Sequence, residues 1–206
     1  MKLIKKFLKK REEKEVYLKM FPRDLSSDVL EVVKIIPIYE SPYGWGIRLL
    51  TNEDKALEFI EIFLNNEIIK IPPRTYVYNN EPSEELIKKL TEKQKLILSC
   101  IYSMSSNGYV REKYLKNIVT KKDDWIIPFV LKSLGDYVIE ITKVTESELF
   151  NTEDKTPYKN FIKNNKKYWD YLKARTISYW SVFYRGKEYR KYTDYPAVKV
   201  ANFLEK

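Results

Sequence analysis

The sequence predicts a mainly α-helical fold with a small, irregular α+β region toward the N-terminus. Two observations predict it. Apolar residues recur three and four apart over most of the chain, the spacing of one helical face. Helix boundaries are also marked: Thr91 and Gln94 are spaced as a capping box ahead of Leu96, Ile97, Cys100, Ile101 and Met104, and Pro37 closes an earlier stripe. The 44% share of hydrophobic residues is enough for a buried core, and 206 residues allow one or two domains.

Leu3, Ile4, Phe7 and Leu8 share one helical face, with Lys5, Lys6, Lys9 and Lys10 opposite, as in a terminal helix docked on its domain. Leu25–Ile36 is a second helix, apolar at Leu25, Val29, Val32, Val33 and Ile36. Ser41–Gly46 is a turn-rich break. Thr51-Asn52-Glu53-Asp54 reads as a helix start before Ala56, Leu57, Ile60 and Leu64. Residues 67–82, with Pro72, Pro73 and Pro82 around Thr75–Tyr78, read as an extended connector and give the division into 1–82 and 83–206. After the helix at 91–104, Val110, Tyr114, Leu115 and Ile118 mark a short helix. Ile127, Val130, Leu131, Leu134, Val138 and Ile141 mark a longer one, with Pro128 tolerated in its first turn. A helix over about 166–184, a turn near Gly186 and a closing helix after Pro196 complete the chain.

The stretch from Asn107 to Ile141 resembles one unit of a bacterial HEAT-like helical repeat. A short helix A opens at Gly108-Tyr109-Val110-Arg111-Glu112. Helix B opens at Trp125 and Pro128 and runs through Leu134-Gly135-Asp136-Tyr137-Val138. Pro128 and Asp136 stand where such repeats carry a proline early in the second helix and an aspartate at the packing layer. The resemblance implies an α–α superhelix, with looser half-repeats over 91–104 and 166–184, and a scaffold suited to binding. A winged helix competes with it, since Tyr137, Ile139 and Ile141 alternate as a strand would. Asp123, Asp124 and Pro128 in its recognition helix, and a wing over Thr142–Ser147 without Gly or Asn, speak against that alternative.

Composition removes several chemistries. There is no His and one Cys, Cys100, so Ser-His and Cys-His catalysis and zinc held by His or several Cys are excluded, as is a disulfide framework. Cytoplasmic localisation is the expectation, since the longest nearly apolar stretch, Leu96–Met104, falls far short of a membrane span and the Lys-interrupted start has no signal-peptide core. No glycine-rich phosphate loop is present. Asp136 and Glu140, four apart, and Asp123 with Asp124 are the carboxylate pairs that could hold a metal or divide acid and base roles, but solvated or capping roles fit them better. No metal and no cofactor are expected. The chain is basic, with 38 Lys+Arg against 29 Asp+Glu, and the excess sits at its two ends. An acidic partner is the expectation from that excess: a nucleic acid, a membrane surface or an acidic protein.

Residues 155–206 hold thirteen of the thirty aromatic residues. On the helix over 168–184, Trp169, Leu172, Thr176, Trp180 and Phe183 make a core stripe. Tyr168, Tyr171, Arg175, Tyr179 and Val182 make a second stripe about 100° away. Tyr168, Tyr171, Arg175, Tyr179, Tyr184 and Arg185 are the candidate binding residues, because Tyr and Arg are favoured where a surface engages protein. The expectation is a non-enzymatic binder of another, acidic protein, such as an inhibitor, immunity factor or adaptor. A nucleic-acid binder is the alternative, including a DNA alkylpurine glycosylase-like enzyme, which works on a basic helical scaffold without His.

Overall fold

The computed structural model describes residues 14–37, 59–72 and 80–206, which are mainly helical with one two-stranded sheet. The expectations at Leu3–Leu8, Ser41–Gly46, Thr51–Asp54 and Thr75–Tyr78 lie outside the described residues. Two compact units divide at Val110/Arg111.

In the N-terminal unit, α1 over 14–19 and a 3-10 turn at Arg23–Leu25 lead into α2, Ser26–Ile35. Val29, Val32 and Val33 form its buried face, and Ile36 turns extended ahead of Pro37, as a residue before proline prefers. The next element corrects the sequence reading. Ile60 and Leu64 belong to a strand, β1 (Ile60–Leu64), paired antiparallel with β2 (Glu67–Ile71) inside the span read as a connector. The turn is Asn65-Asn66, both at positive φ (49° and 64°), the left-handed pair that a two-residue hairpin requires. Ile62, Leu64, Ile69 and Ile71 alternate into the core, while Phe63 faces Ile68, and Glu61 meets Lys70 at 3.0 Å, on the outer side. The spacing of Ile60 and Leu64 fits a helix, but the alternation through Ile62 and Ile69 fits only a sheet.

Helix α3 spans Glu84–Lys88 and α4 spans Glu92–Tyr102. The capping box is present in both directions: the Gln94 N–H donates to Thr91 Oγ1 at 3.2 Å and the Thr91 N–H to Gln94 Oε1 at 3.1 Å. Gln94 Nε2 also donates to Asp28 Oδ1 at 2.9 Å, joining α4 to α2. Cys100 is fully buried in the α4 stripe. Because α4 packs on α2, it belongs by contact to the N-terminal unit, although the sequence division at 82 put it in the second domain.

Helix α5, Gly108–Ile118, carries the chain across the division. The C-terminal unit continues with α6 (Ile127–Lys132), a 3-10 turn at Ser133–Gly135, α7 (Ile139–Phe150), α8 (Thr156–Asn164), α9 (Lys166–Tyr179) and α10 (Pro196–Glu205). Pro128 does sit in the first turn of α6. The long helix B does not form, however: the chain is extended at Asp136, whose Oδ1 accepts the Val138 N–H at 2.9 Å, and a new helix starts at Ile139. The strand pair of the winged-helix alternative is likewise absent among the described residues, since Thr142–Ser147 is helical. Its buried hydroxyls are satisfied locally, Thr142 on the Ile139 carbonyl and Thr145 on that of Ile141. Helix α10 packs on α7 and α9, burying Ala197, Val198, Val200, Ala201 and Leu204.

Tyr168 is a core residue. It is 2% exposed, and its hydroxyl donates to the Pro128 carbonyl at 2.8 Å, tying α9 to α6. Burial holds that hydroxyl protonated far above the usual tyrosine range, so it stays a donor. Tyr168→Phe should cost about 1 kcal/mol, read as a lower urea midpoint, because it leaves a buried carbonyl short of a donor.

Candidate functional site

The site is built where α9 ends. From Trp180 to Tyr184 the helix widens into a π turn, with the Arg185 N–H donating to the Trp180 carbonyl at 2.9 Å. A π turn carries more residues per turn than an α-helix. Phe183, in phase with Thr176 in a regular helix, is thereby rotated off the core line. It is 44% exposed, and Val182 beside it is 69% exposed.

Phe183 joins a ridge of rings. Its centroid lies 6.0 Å from Tyr179 and 6.3 Å from Tyr137, and Tyr137 meets Tyr179 edge-on at 6.0 Å. Tyr184 continues the ridge at 6.4 Å from Phe183 and donates its hydroxyl to the Tyr137 carbonyl at 2.6 Å. Burial, then the nearby Glu140 charge, pushes the Tyr184 hydroxyl up, so it remains protonated as that bond requires. Beyond it Tyr184 stacks on Tyr195, which is wholly buried. The ridge is thus apolar on top and anchored to the core below.

Charges lie beneath and beside it. Arg175 Nε donates to the Gly135 carbonyl at 3.2 Å, Nη1 to Tyr171 Oη at 2.9 Å and Nη2 to Tyr179 Oη at 2.7 Å, with the guanidinium over both tyrosine rings. Glycine at position 135 leaves room for this approach, since a Cβ there would lie 3.2 Å from Arg175 Nε and the arginine would have to give by a few tenths of an ångström. Arg111, 2% exposed, pairs with Asp136 through two bonds, Nε to Oδ2 at 2.8 Å and Nη2 to Oδ1 at 3.1 Å, and lies over the Tyr137 ring. Burial works against the Arg111 charge, and the Asp136 carboxylate more than offsets it, leaving its pKa above the ordinary value. Arg185 is exposed and covers the Trp180 ring at 5.6 Å.

Of the candidate binding residues, Tyr179 and Tyr184 are half-buried members of the ridge, and Arg185 is exposed next to it. Tyr171 and Arg175 stand at its base and are structural as well as peripheral. Tyr168 is not on this face, since it points into the core. Trp180, assigned to the core stripe, is half-buried, its Nε1 donating to the Tyr189 carbonyl at 2.8 Å. Sequence reasoning missed Tyr137 and placed Phe183 in the core. Nothing in the local sequence brings Tyr137 to a helix more than forty residues away, and helical periodicity misplaces any residue within a π turn. Asp136 and Glu140 do not share a helix face, because Asp136 precedes α7 and is held by Arg111.

A cleft of about 250 Å³ lies elsewhere in this unit, between the Val119–Lys122 segment, Glu148 and the start of α8. Lys121 and Lys122 stand in it with Glu148, Glu153 and Asp154, and Asp154 Oδ1 accepts the Thr156 N–H at the start of α8 at 2.9 Å. Among the described residues no group of three or more His, Cys, Asp or Glu side chains could hold a metal, and no helix is long and apolar enough to cross a membrane. No family model, curated protein or solved structure matches the chain.

Proposed function

We propose that this is a non-enzymatic binding protein that engages another protein through the ridge at the end of α9. One observation carries the reading: Tyr137, Val182 and Phe183 expose apolar surface together, at 39%, 69% and 44%, on a base held rigid by Arg175, Tyr184 and Asp136. Aromatic anchors on a fixed support are what carry affinity in protein interfaces. The support for a HEAT-like scaffold is the early proline of α6 and the Arg111–Asp136 pair between α5 and the turn before α7.

The test uses Val182→Ser with Phe183→Ser. Val182 is largely exposed and Phe183 packs on neighbouring rings. The double variant should therefore stay folded with a thermal midpoint only slightly lowered, as lost ring pairs allow, while recovery of the partner in a quantitative pulldown falls at least about tenfold. Unchanged recovery would place the interface elsewhere. The triple change of Tyr171, Arg175 and Tyr179 to Ala is a poorer probe than the sequence suggests, because Arg175 also holds α9 to Gly135.

A further inference from the structure

We infer that the ridge is a docking surface for an acidic peptide segment bearing an apolar anchor, an inference that rests on the protein-binding reading and specifies its partner. The loop after the π turn, Arg185-Gly186-Lys187-Glu188-Tyr189-Arg190-Lys191, carries four cations and one carboxylate. It folds back on the ridge, with the Tyr189 ring 6.2 Å from Tyr184 and the Tyr189 N–H donating to the Tyr184 carbonyl at 3.3 Å. Arg185, Lys187, Arg190 and Lys191 are all exposed.

Several cations elsewhere are met by the chain's own carboxylates. Lys34 sits on Glu31, Lys95 on Glu92, Lys116 on Glu112, Lys173 on Glu205 and Lys199 on Glu146. The four cations of the loop form no such pair with any described carboxylate. With four cations against Glu188 in the loop, and Glu140 near Tyr184, the balance beside the apolar ridge is positive, and such a balance favours a partner segment of the opposite sign.

Ring geometry favours a peptide over a nucleic acid. Stacked bases need open ring faces. Here Tyr137 and Tyr179 meet edge to face at 66°, Tyr184 is stacked on Tyr195, and the guanidinium of Arg185 covers Trp180. What the ridge leaves exposed is part of the Phe183 ring and most of Val182, an apolar surface that suits a Leu, Met or Phe side chain.

The experiment is fluorescence anisotropy on the full chain with short labelled peptides sharing the same Leu and Phe positions and carrying Glu, Gln or Lys at the others, with labelled oligo-dT as the fourth probe. The Glu peptide should bind at least about tenfold tighter than the Gln peptide at low salt, with the margin shrinking as salt screens the loop. Reversing Arg185, Lys187, Arg190 and Lys191 to Glu should remove the preference, and Val182→Ser with Phe183→Ser should weaken the Glu peptide as well. Gln and Glu peptides binding alike would overturn the acidic partner and leave the protein-binding reading standing. Glu binding untouched by the Val182 and Phe183 changes would reduce the surface to charge alone and overturn the anchor. Oligo-dT binding tighter than every peptide would overturn both readings, and no peptide binding at all would overturn this inference.

Discussion

Asp136→Ala should destabilise the protein by about 3–5 kcal/mol, a large part of the about 5–15 kcal/mol that holds a domain folded. Asp136 does two things. Its carboxylate takes both bonds from Arg111, whose side chain is 3% exposed, and its Oδ1 accepts the Val138 N–H where α7 begins. Alanine leaves a guanidinium buried without its counter-charge and a helix start without its acceptor. Asp136→Asn keeps an acceptor for the Val138 N–H and loses only the charge, so it should fall between wild type and alanine. Replacing the pair together, Arg111→Met with Asp136→Leu, should cost less than Asp136→Ala, because no unpaired charge remains. Urea denaturation of the four proteins decides the matter. A loss below about 1 kcal/mol for Asp136→Ala would mean that Arg111 reaches water or another acceptor once the carboxylate is gone.

Lys132→Met should stabilise the protein at neutral pH and flatten its stability against pH. Lys132 ends α6 close to three charged groups: Arg175 from α9, Arg111 from α5 and Asp136 from the following turn. Part of the residue remains exposed, but its ammonium is enclosed. Burial first, then the Arg175 charge, pushes its pKa from 10.5 down to about 7, with Asp136 opposing and Arg111 adding to the fall. In the unfolded chain the amine keeps its ordinary value, so between about pH 7 and 10.5 the unfolded state holds a proton that the native state has released. Stability therefore rises with pH across that window, and below it the full cost of the buried charge is present. Methionine carries no proton in either state. Denaturation midpoints of wild type and variant, compared at the two ends of the window, should converge toward the alkaline end. Parallel curves would show that Lys132 is solvated in the native state.

Much of the helical plan was legible because it depends on local chemistry. Val29, Val32 and Val33 mark α2, Thr91 and Gln94 start α4, and Pro196 starts α10; each signal lies within a few residues of the element it defines. The hairpin was legible too, but in a different period: Ile62 and Leu64 against Ile69 and Ile71, about an Asn-Asn turn, spell two strands once the alternation is weighed against the four-residue spacing of Ile60 and Leu64. The break at Asp136 was hidden. The apolar stripe from Ile127 to Ile141 continues in phase across it; the local signal is Asp136 accepting the Val138 N–H, and the distant Arg111 holds its carboxylate in place. The candidate site was half visible. Tyr179, Tyr184 and Arg185 stood out by residue type, and Tyr171 and Arg175 proved to be its foundation. Tyr168 was misread because burial of a tyrosine depends on an acceptor, here the Pro128 carbonyl, that its own helix does not supply.

The π turn at Trp180–Tyr184 gives the ridge an evolutionary character of its own. A π turn is a helix that has absorbed one surplus residue. At its end the chain is fixed again, by Tyr184 on the Tyr137 carbonyl and on Tyr195 at the head of α10. Deleting one of these five residues should convert the π turn to regular helix and turn Val182 and Phe183 away from their present outward positions. On the proposed reading, the binding face is therefore a feature that one small change in chain length could create or erase.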